Sequence, residues 1–192
     1  MGKIVSSFFI ALDGVVEAPE RWQFPYFNDE LAAALARGTE KARAFLMGRR
    51  LYEEWVAYWP RRGTETPAVA GEPEQAADSF ASFINNVPKY VVSNTLSEPK
   101  WSNTTVLPGD VAAIRQLKDT SDGDIAMSGS ATTVRWLLAN GLLDELNLML
   151  HPIAVGQGQR LFGDTPTYPL RLMKHEAFTT GVLNITYAPA ND

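Results

Sequence analysis

Residues 124–162 constrain the fold of this chain more than any other stretch. An apolar strand ends at residues 128–130 (Ser-Gly-Ser), a helix follows and runs to residues 140–141 (Asn-Gly), and a second apolar strand covers residues 146–150. A strand, a helix and a strand in this order normally place the two strands parallel in one sheet, with the helix packed against it. The sequence therefore predicts an α/β domain.

The turn at residues 128–130 is suited to meet an anion. A helix N-terminus offers unpaired N–H groups and the positive end of the helix dipole. Gly129 allows a ligand to approach the backbone, Ser130 can cap the helix, and Thr132 and Thr133 add hydroxyl groups to its first turn. The turn lacks the full G-x-G-x-x-G pattern, and many purely structural turns also use Gly and Ser. A phosphate-bearing cofactor and a structural turn both fit this segment taken alone.

The rest of the chain continues the alternation of strands and helices. Strands are predicted at residues 3–12, 44–47 and 90–92, helices at 28–37, 51–59 and 110–117, a helical segment around 80–84, and an antiparallel strand pair at 170–178 and 182–188. Gly38 is predicted to end the first helix. Residues 61–78, rich in Pro, Gly, Glu, Thr and Ala, are predicted to be a surface insertion. The whole predicts a mainly parallel sheet with an antiparallel edge.

Composition narrows the possible functions. The chain has 192 residues, 45% hydrophobic and 20% charged, which fits a single globular domain spanning residues 1–192. A net charge of −5 argues against a broad nucleic-acid or membrane-binding surface. The chain has no cysteine, so disulfides, Cys-ligated metals and thiol catalysis are excluded, and its two histidines lie far apart, so no metal site is expected. No segment resembles a signal peptide or a membrane helix, and we expect a cytoplasmic protein.

Two further turns follow predicted strands. They are Gly48-Arg49-Arg50 and Ser93-Asn94-Thr95. Ligands of open α/β sheets bind at the carboxyl ends of the strands, so the three turns together predict one groove. Arginine pairs well with phosphate, and a bound anion would relieve two cations placed at a helix start. Alone, the arginines also fit a solvated helix start, and Ser93 and Asn94 also fit ordinary turn chemistry.

Several other side chains are candidates for contact with a ligand. Asp13 ends the first strand beside Gly14, where it is either a turn residue or a carboxylate facing the groove. Asp29 and Glu30 are either helix-capping residues or an acid near the substrate. His151 precedes a proline and is interpreted as a structural strand-end residue. Trp22 lies in an aromatic loop that could cover a planar ring.

These segments together resemble the dihydrofolate reductase-like family. The closer resemblance is to the branch that includes the reductase domain of bacterial riboflavin-biosynthesis deaminase/reductases. The matching segments are residues 11–14 (ALDG), 45–53 (FLMGRRLYE), 88–96 (PKYVVSNTL), 127–133 (MSGSATT), and 141–146 (GLLDEL) through 158–162 (GQRLF). They occur in the family order and span nearly the whole chain. The resemblance implies a three-layer α/β sandwich.

The resemblance also implies a reductase that binds NADPH, with residue roles carried over by position. In that reading Gly48, Arg49 and Arg50 would lie near the adenosine-side phosphates, Ser93 and Asn94 near the adenine ribose, and Gly129, Ser130, Ala131 and Thr132 at the pyrophosphate. Leu12 and Asp13 would approach the nicotinamide, and Asp13 is the candidate catalytic or substrate-contacting residue. A homodimer formed through the C-terminal region is a further implication.

The resulting interpretation is an NADPH-dependent reductase of a small pyrimidine- or pterin-like heterocycle. It would resemble 5-amino-6-(5-phosphoribosylamino)uracil reductase of riboflavin biosynthesis. One alternative is a nucleotide-binding module that keeps this fold without the chemistry, since fold alone does not determine function. Another is a dihydrofolate or pterin reductase, for which Asp29 or Glu30 would supply the carboxylate on the first long helix.

Overall fold

The computed structural model describes residues 1–62 and 73–190. Within these residues the strands are β1 (Ile4–Ala11), β2 (Ala42–Gly48), β3 (Lys89–Val92), β4 (Thr104–Leu107), β5 (Asp124–Ser128), β6 (Glu145–His151), β7 (Leu170–Ala177) and β8 (Leu183–Pro189). The α-helices are α1 (Asp29–Glu40), α2 (Arg49–Trp55), α3 (Glu74–Asn86), α4 (Val111–Thr120) and α5 (Ala131–Ala139). Short 3₁₀ turns cover Pro19–Arg21, Phe24–Tyr26 and Trp59–Arg61.

The strands form one mixed sheet in the order β4-β3-β2-β5-β1-β6-β8-β7. The six strands from β4 to β6 in that order are parallel to their neighbours, so their carboxyl ends share one edge. Strand β8 runs antiparallel to both β6 and β7. The predicted α/β class, the mainly parallel sheet and the antiparallel C-terminal pair are confirmed.

Helices cover both faces of the sheet and make three layers. On one face, α4 and α5 pack on alternate residues of β1 (Ile4, Phe8, Ile10) through Ile114 and Leu137, which are fully buried. On the opposite face, α1 packs through Leu31 against Met149 of β6, while α2 and α3 pack against β2 and β3. The strand periodicity of two therefore separates the apolar core on one face from the two apolar clusters on the other.

The second face has a gap between its helices. Strand β1 lies at the centre of the sheet, yet its residues Val5, Ser7 and Phe9 are only half-buried, and Ser128 of the neighbouring β5 is also half-buried. The core around α1 contains Phe9, and the core around α2 and α3 contains Ala126 of β5. The strip over β1 and β5 between the two helical groups is therefore less covered than the rest of this face, and we call it the groove.

Some boundaries differ from the sequence-based expectations. Strand β4 was not predicted, since its four residues carry no alternating pattern and lie at the edge of the sheet. Helix α1 continues through Gly38 to Glu40, because one glycine inside a helix costs only about 1 kcal/mol and does not by itself end it. Helix α2 stops at Trp55, and Trp59 lies in a separate 3₁₀ turn.

The predicted insertion at residues 61–78 falls partly on residues 63–72, which lie outside the described residues. Its last part is not irregular, because α3 begins at Glu74 and its burial of Ala77 anchors the helix to the sheet. Among the described helices, none has the length and apolar character needed to cross a membrane.

Candidate functional site

The three turns singled out in the sequence lie side by side. They follow β2, β3 and β5, which are consecutive in the sheet order β3-β2-β5 and run in the same direction. The turns therefore meet at the carboxyl edge of the sheet, beside the groove. This is the position at which open α/β sheets bind ligands.

Gly48 is in close contact with the first turn of α5. A Cβ atom added to Gly48 would lie 2.8 Å from Thr133 Oγ1 and 2.9 Å from Ser130 Oγ. Its backbone angles (φ −80°, ψ 161°) are open to any residue, so the requirement for glycine here is one of space. The hydroxyl groups of Ser130 and Thr133 at the start of α5 thus pack directly against the backbone at the end of β2.

At the Gly129-Ser130 turn, the requirement for glycine comes from backbone conformation and not from lack of space. Both residues are in the left-handed region, with φ 74° at Gly129 and φ 60° at Ser130. Gly129 adopts this conformation at little cost, whereas for Ser130 it is strained. Strain of this kind is concentrated at ligand-binding turns, where surrounding structure holds it in place.

The start of α5 presents free backbone donors. Its first helical hydrogen bond runs from the N–H of Val134 to the carbonyl of Ser130, so the N–H groups of residues 131–133 have no partner within the helix. Ala131 is buried, so it can contribute only its backbone, while Thr132 is exposed. The expectation that the Ser130 side chain caps the helix is wrong, because its hydroxyl instead pairs with Thr133 Oγ1 at 2.6 Å.

The two arginines behave differently. Arg49 donates to Glu53 Oε1 at 2.7 Å and also to the hydroxyl of Thr95, so its guanidinium bridges from α2 to the turn after β3. Arg50 pairs with Glu54 and its side chain is 83% exposed. Only Arg49 therefore joins two of the three turns.

Ser93 and Asn94 are both engaged in holding their turn. The Ser93 hydroxyl accepts hydrogen bonds from the N–H groups of Thr95 and Leu96. The Asn94 side chain accepts from the N–H of Gly109, which fastens this turn to the loop before α4. Both residues lie at the edge where the cofactor was expected, and the acceptor oxygen of each is already used within the protein.

The end of β1 combines an exposed apolar side chain with an acid. Leu12 is 62% exposed and its N–H donates to the carbonyl of Ile153. Asp13 Oδ2 accepts from the N–H of Gly156 at 2.6 Å, and this bond holds the pKa of the Asp13 carboxyl below its ordinary value. Asp13 is thus ionised at neutral pH, which suits an acceptor of hydrogen bonds better than a proton donor.

His151 is a residue whose importance the sequence did not reveal. It ends β6 in register with Ala11 of β1, is fully buried, and lies edge-on to the rings of Phe9, Trp22 and Tyr26. Burial lowers the pKa of its imidazole, opposed by its bond to the carbonyl of Met149. The aromatic loop and the histidine were each noted in the sequence, but nothing local indicates that Trp22 covers His151.

The acids of the first helix serve the fold. Asn28 caps α1, accepting from the N–H of Leu31 at 3.0 Å. One carboxylate oxygen of Glu30 accepts from the hydroxyl and the N–H of Thr179, and these bonds lower the pKa of Glu30. Glu30 thereby ties α1 to the turn between β7 and β8.

The fold and this edge define an α/β protein with a helix N-terminus and small-residue turns beside a central groove. A match to a protein-family model identifies the family of the chain. Residues 2–184 match the RibD C-terminal domain, and the chain belongs to that family. The recognised resemblance to the reductase domain of riboflavin-biosynthesis proteins is therefore confirmed.

Relatives and solved structures agree with this family. The chain is 26% identical over 186 residues to the uncharacterized protein YyaP of Bacillus subtilis (strain 168), covering 96% of this chain and 94% of that protein. A protein from Shewanella sp. PV-4 that is provisionally assigned to riboflavin biosynthesis superposes with a TM-score of 0.74 at 18% identity, covering 98% of this chain and 99% of that one.

A second superposition extends the likeness to dihydrofolate reductases. Dihydrofolate reductase from Enterococcus faecalis, solved with NADP(H) and RAB-propyl, matches with a TM-score of 0.61 at 13% identity, covering 99% of this chain and 98% of that chain. At these identities the structural likeness establishes the dihydrofolate reductase-like fold.

Proposed function

We propose that this protein is an NADPH-dependent reductase of a small heterocyclic substrate, acting as one domain and resembling 5-amino-6-(5-phosphoribosylamino)uracil reductase. The observation that carries the proposal is the junction at the carboxyl edge, where Gly48 lies against Ser130 and Thr133 at the start of α5. Membership of the RibD C-terminal domain family supports the same reaction class.

The residues at this edge fit a dinucleotide phosphate. The unpaired N–H groups of residues 131–133 and the positive end of the α5 dipole favour a pyrophosphate. The positive φ of Gly129 keeps side-chain atoms out of that approach. Arg49, half-exposed and held between Glu53 and Thr95, would contribute its remaining donors to a phosphate on the adenosine side.

The groove over β1 fits the reacting half of the cofactor and the substrate. Bound NADPH would supply a hydride, and the protein would orient the two rings and exclude water. The exposed side chain of Leu12 gives the nicotinamide an apolar surface at the end of β1. The ionised carboxylate of Asp13 would accept a hydrogen bond from the bound ligand and hold the loop at Gly156 in place.

The two alternative functions differ in what they require of the groove. A binding module without chemistry would bind NADPH but turn nothing over. A pterin reductase needs a carboxylate free to hold the pterin ring, and the bonds from Glu30 to Thr179 disfavour that residue for the role. Asp29 stays a candidate for that carboxylate. We favour a pyrimidine substrate because the chain belongs to the RibD C-terminal domain family.

The first test is a titration of the purified protein with NADPH and, separately, with NADH. Binding to the folded state raises the melting temperature by mass action, and it should quench tryptophan fluorescence. Stabilisation by NADPH well above that by NADH is the expected result. No response to either dinucleotide would refute the cofactor assignment. Binding without oxidation of NADPH in the presence of 5-amino-6-(5-phosphoribosylamino)uracil would favour a module without this chemistry.

We further propose that the protein forms a homodimer through its C-terminal strands. Strand β7 lies at the end of the sheet, seven of its eight residues are exposed, and Leu172 and Met173 are 49% and 44% exposed. A long exposed edge strand with apolar side chains favours pairing with a second copy. Light scattering should give a dimer mass that Leu172→Lys reduces to that of a monomer, and a monomeric wild-type protein would refute this arrangement.

A further inference from the structure

The imidazole of His151 is the most unusual polar group outside the cofactor edge. It is fully buried at the carboxyl end of β6, one strand from β1. Its ring centroid lies 5.2 Å from that of Trp22, 5.6 Å from Phe9 and 5.7 Å from Tyr26. A histidine enclosed by three aromatic rings needs an explanation, since a fourth aromatic residue would fill the same space without burying polar atoms.

The hydrogen bonds of His151 identify its tautomer. Nδ1 lies 2.8 Å from the carbonyl oxygen of Met149. A carbonyl can only accept, so Nδ1 carries the hydrogen, and the neutral ring presents a bare lone pair at Nε2. Across residues 1–62 and 73–190, no group makes a hydrogen bond to that buried Nε2 atom.

Four other buried side-chain atoms lack a hydrogen-bond partner among the described residues: two are the hydroxyls of Ser6 and Thr180, and two are acceptors only. Asp13 Oδ1 and Gln23 Oε1 are buried and have no hydrogen-bond partner among the described residues. Asp13 follows β1, which pairs with β6 up to Ala11 and His151, and Gln23 is next to the Trp22 that covers the imidazole. All three atoms accept hydrogen bonds, so the ligand that completes this region must donate them.

The position of His151 relative to the groove indicates a ligand-binding role for its unpaired Nε2 atom. His151 lies two residues beyond Met149 on the same face of β6, and Met149 pairs with the half-buried Phe9 on the groove face of β1. Since Nδ1 faces the backbone of its own strand, Nε2 points away from that backbone. Movement of Trp22 and Tyr26, which sit in a segment of two single-turn 3₁₀ helices, would open Nε2 to a molecule in the groove.

We propose that Nε2 of His151 accepts a hydrogen bond from an N–H group of the substrate's pyrimidine ring and positions that ring beside the end of β1. This inference rests on the proposed reductase function and names a substrate-binding side chain for it. A pyrimidine with ring N–H and amino groups supplies the donors that His151, Gln23 and Asp13 lack. A ring carrying only acceptors would leave these atoms buried and unpaired, so the site would reject it.

The direct test is ¹⁵N NMR of histidine-labelled protein saturated with NADPH, using 5,6-diaminouracil as the probe. The chain has two histidines, and His175 is exposed on β7, so His175→Gln assigns the His151 signals. We expect the Nε2 resonance to have the shift of a bare imine nitrogen and to move toward the hydrogen-bonded range when diaminouracil is added. Binding of diaminouracil with an unmoved Nε2 resonance would overturn the proposal, and so would absence of binding.

A pair of variants separates the two ring nitrogens. His151→Asn keeps an N–H where Nδ1 donates to Met149 but loses the acceptor, whereas His151→Gln places an amide oxygen near the position of Nε2. The Asn variant should bind diaminouracil about tenfold more weakly, corresponding to the loss of one hydrogen bond. The Gln variant should recover part of that loss, and both should bind NADPH as the wild type does. Equal binding by the Asn variant and the wild type would contradict the assignment; if the Asn variant does not fold, the wild-type NMR result decides.

Failure of this inference is distinguishable from failure of the proposed function. Oxidation of NADPH by 5-amino-6-(5-phosphoribosylamino)uracil with an unmoved Nε2 resonance would keep the reductase and remove His151 from its site. A shifted resonance without any oxidation of NADPH would keep the pyrimidine site and remove the proposed reaction.

Discussion

At Lys89, the stability gained from the contacts of a buried ammonium group can be compared with the stability lost by burying its charge. It begins β3 and is fully buried, and its Nζ donates to the carbonyls of Ile84 and Val87, each at 2.9 Å, at the end of α3. The ammonium also lies 4.9 Å from the ring of Trp101. The Lys89 side chain thus takes the place of a helix cap, and Lys89→Met would remove it while keeping the volume.

In Lys89→Met, the stability lost with these contacts and the stability regained by removing the buried charge are of similar size. Two buried carbonyls without a donor cost about 2 kcal/mol each, and the lost contact with Trp101 costs about 1 kcal/mol. In the opposite direction, burial lowers the pKa of Lys89 from 10.5 to about 8. Removing that ammonium at neutral pH therefore returns about 3 kcal/mol. The net expectation at pH 7 is destabilisation by about 2 kcal/mol, which lowers the melting temperature by about 4–8 °C for a chain of this size.

The pH dependence gives the prediction its sharpest test. Between the folded pKa of about 8 and the unfolded value, the unfolded chain binds more protons at Lys89, so the wild type gains stability as the pH rises. Lys89→Met lacks this gain, and the gap in unfolding free energy should widen by about 2–3 kcal/mol between about pH 7 and pH 10.

The assay is urea unfolding at several pH values, with Lys100→Met, at an exposed position, as the control for loss of a lysine. A variant more stable than the wild type at neutral pH would refute the reasoning about the carbonyls. A gap that narrows as the pH rises would refute the reasoning about the buried charge.

Three further predictions concern the carboxyl edge of the sheet. Arg49→Ala should weaken binding of NADPH about tenfold and of NADH less, if the guanidinium meets the 2′-phosphate. Arg50→Ala should have the smaller effect because its side chain is 83% exposed, whereas Arg49 contacts the turn after β3; titration of both variants checks this. Gly129→Val should abolish NADPH binding without unfolding the protein, whereas Gly141→Val, which imposes a similar left-handed strain at the far end of α5, should bind normally. The wild type loses stability as the pH falls through the lowered pKa of Asp13, because protonation removes the charged acceptor. Asp13→Asn lacks this loss, so its melting temperature should fall less steeply than that of the wild type below about pH 4.

The meeting of the three turns at one edge was predictable because its signals are local. Gly48 and Gly129 each follow an apolar strand and precede a helix, and the parallel arrangement of the strands brings their turns together. Sequence reasoning could not show that the two glycines have different causes. Gly48 is needed for space beside Thr133, and Gly129 for its positive φ.

The substrate end of the groove was not predictable, since its contacts join distant parts of the chain. The enclosure of His151 needs Phe9 on β1 and the loop that carries Trp22, and no spacing in the sequence relates these residues. The same holds for Glu30, whose role depends on Thr179, and for the left-handed Ser130, whose hydroxyl turns to Thr133 instead of capping the helix.

The proposed cofactor end and the proposed substrate end of the groove differ in how freely their residues can be exchanged. The cofactor end is built from backbone donors and small residues, so its geometry is tied to the fold and persists wherever the fold does. The substrate end is built from side chains at positions such as Asp13, Gln23 and His151, which can be exchanged without altering the sheet. The superpositions at 13–18% identity accordingly establish the shared fold alone. The substrate of this protein must be determined by experiments on those three side chains.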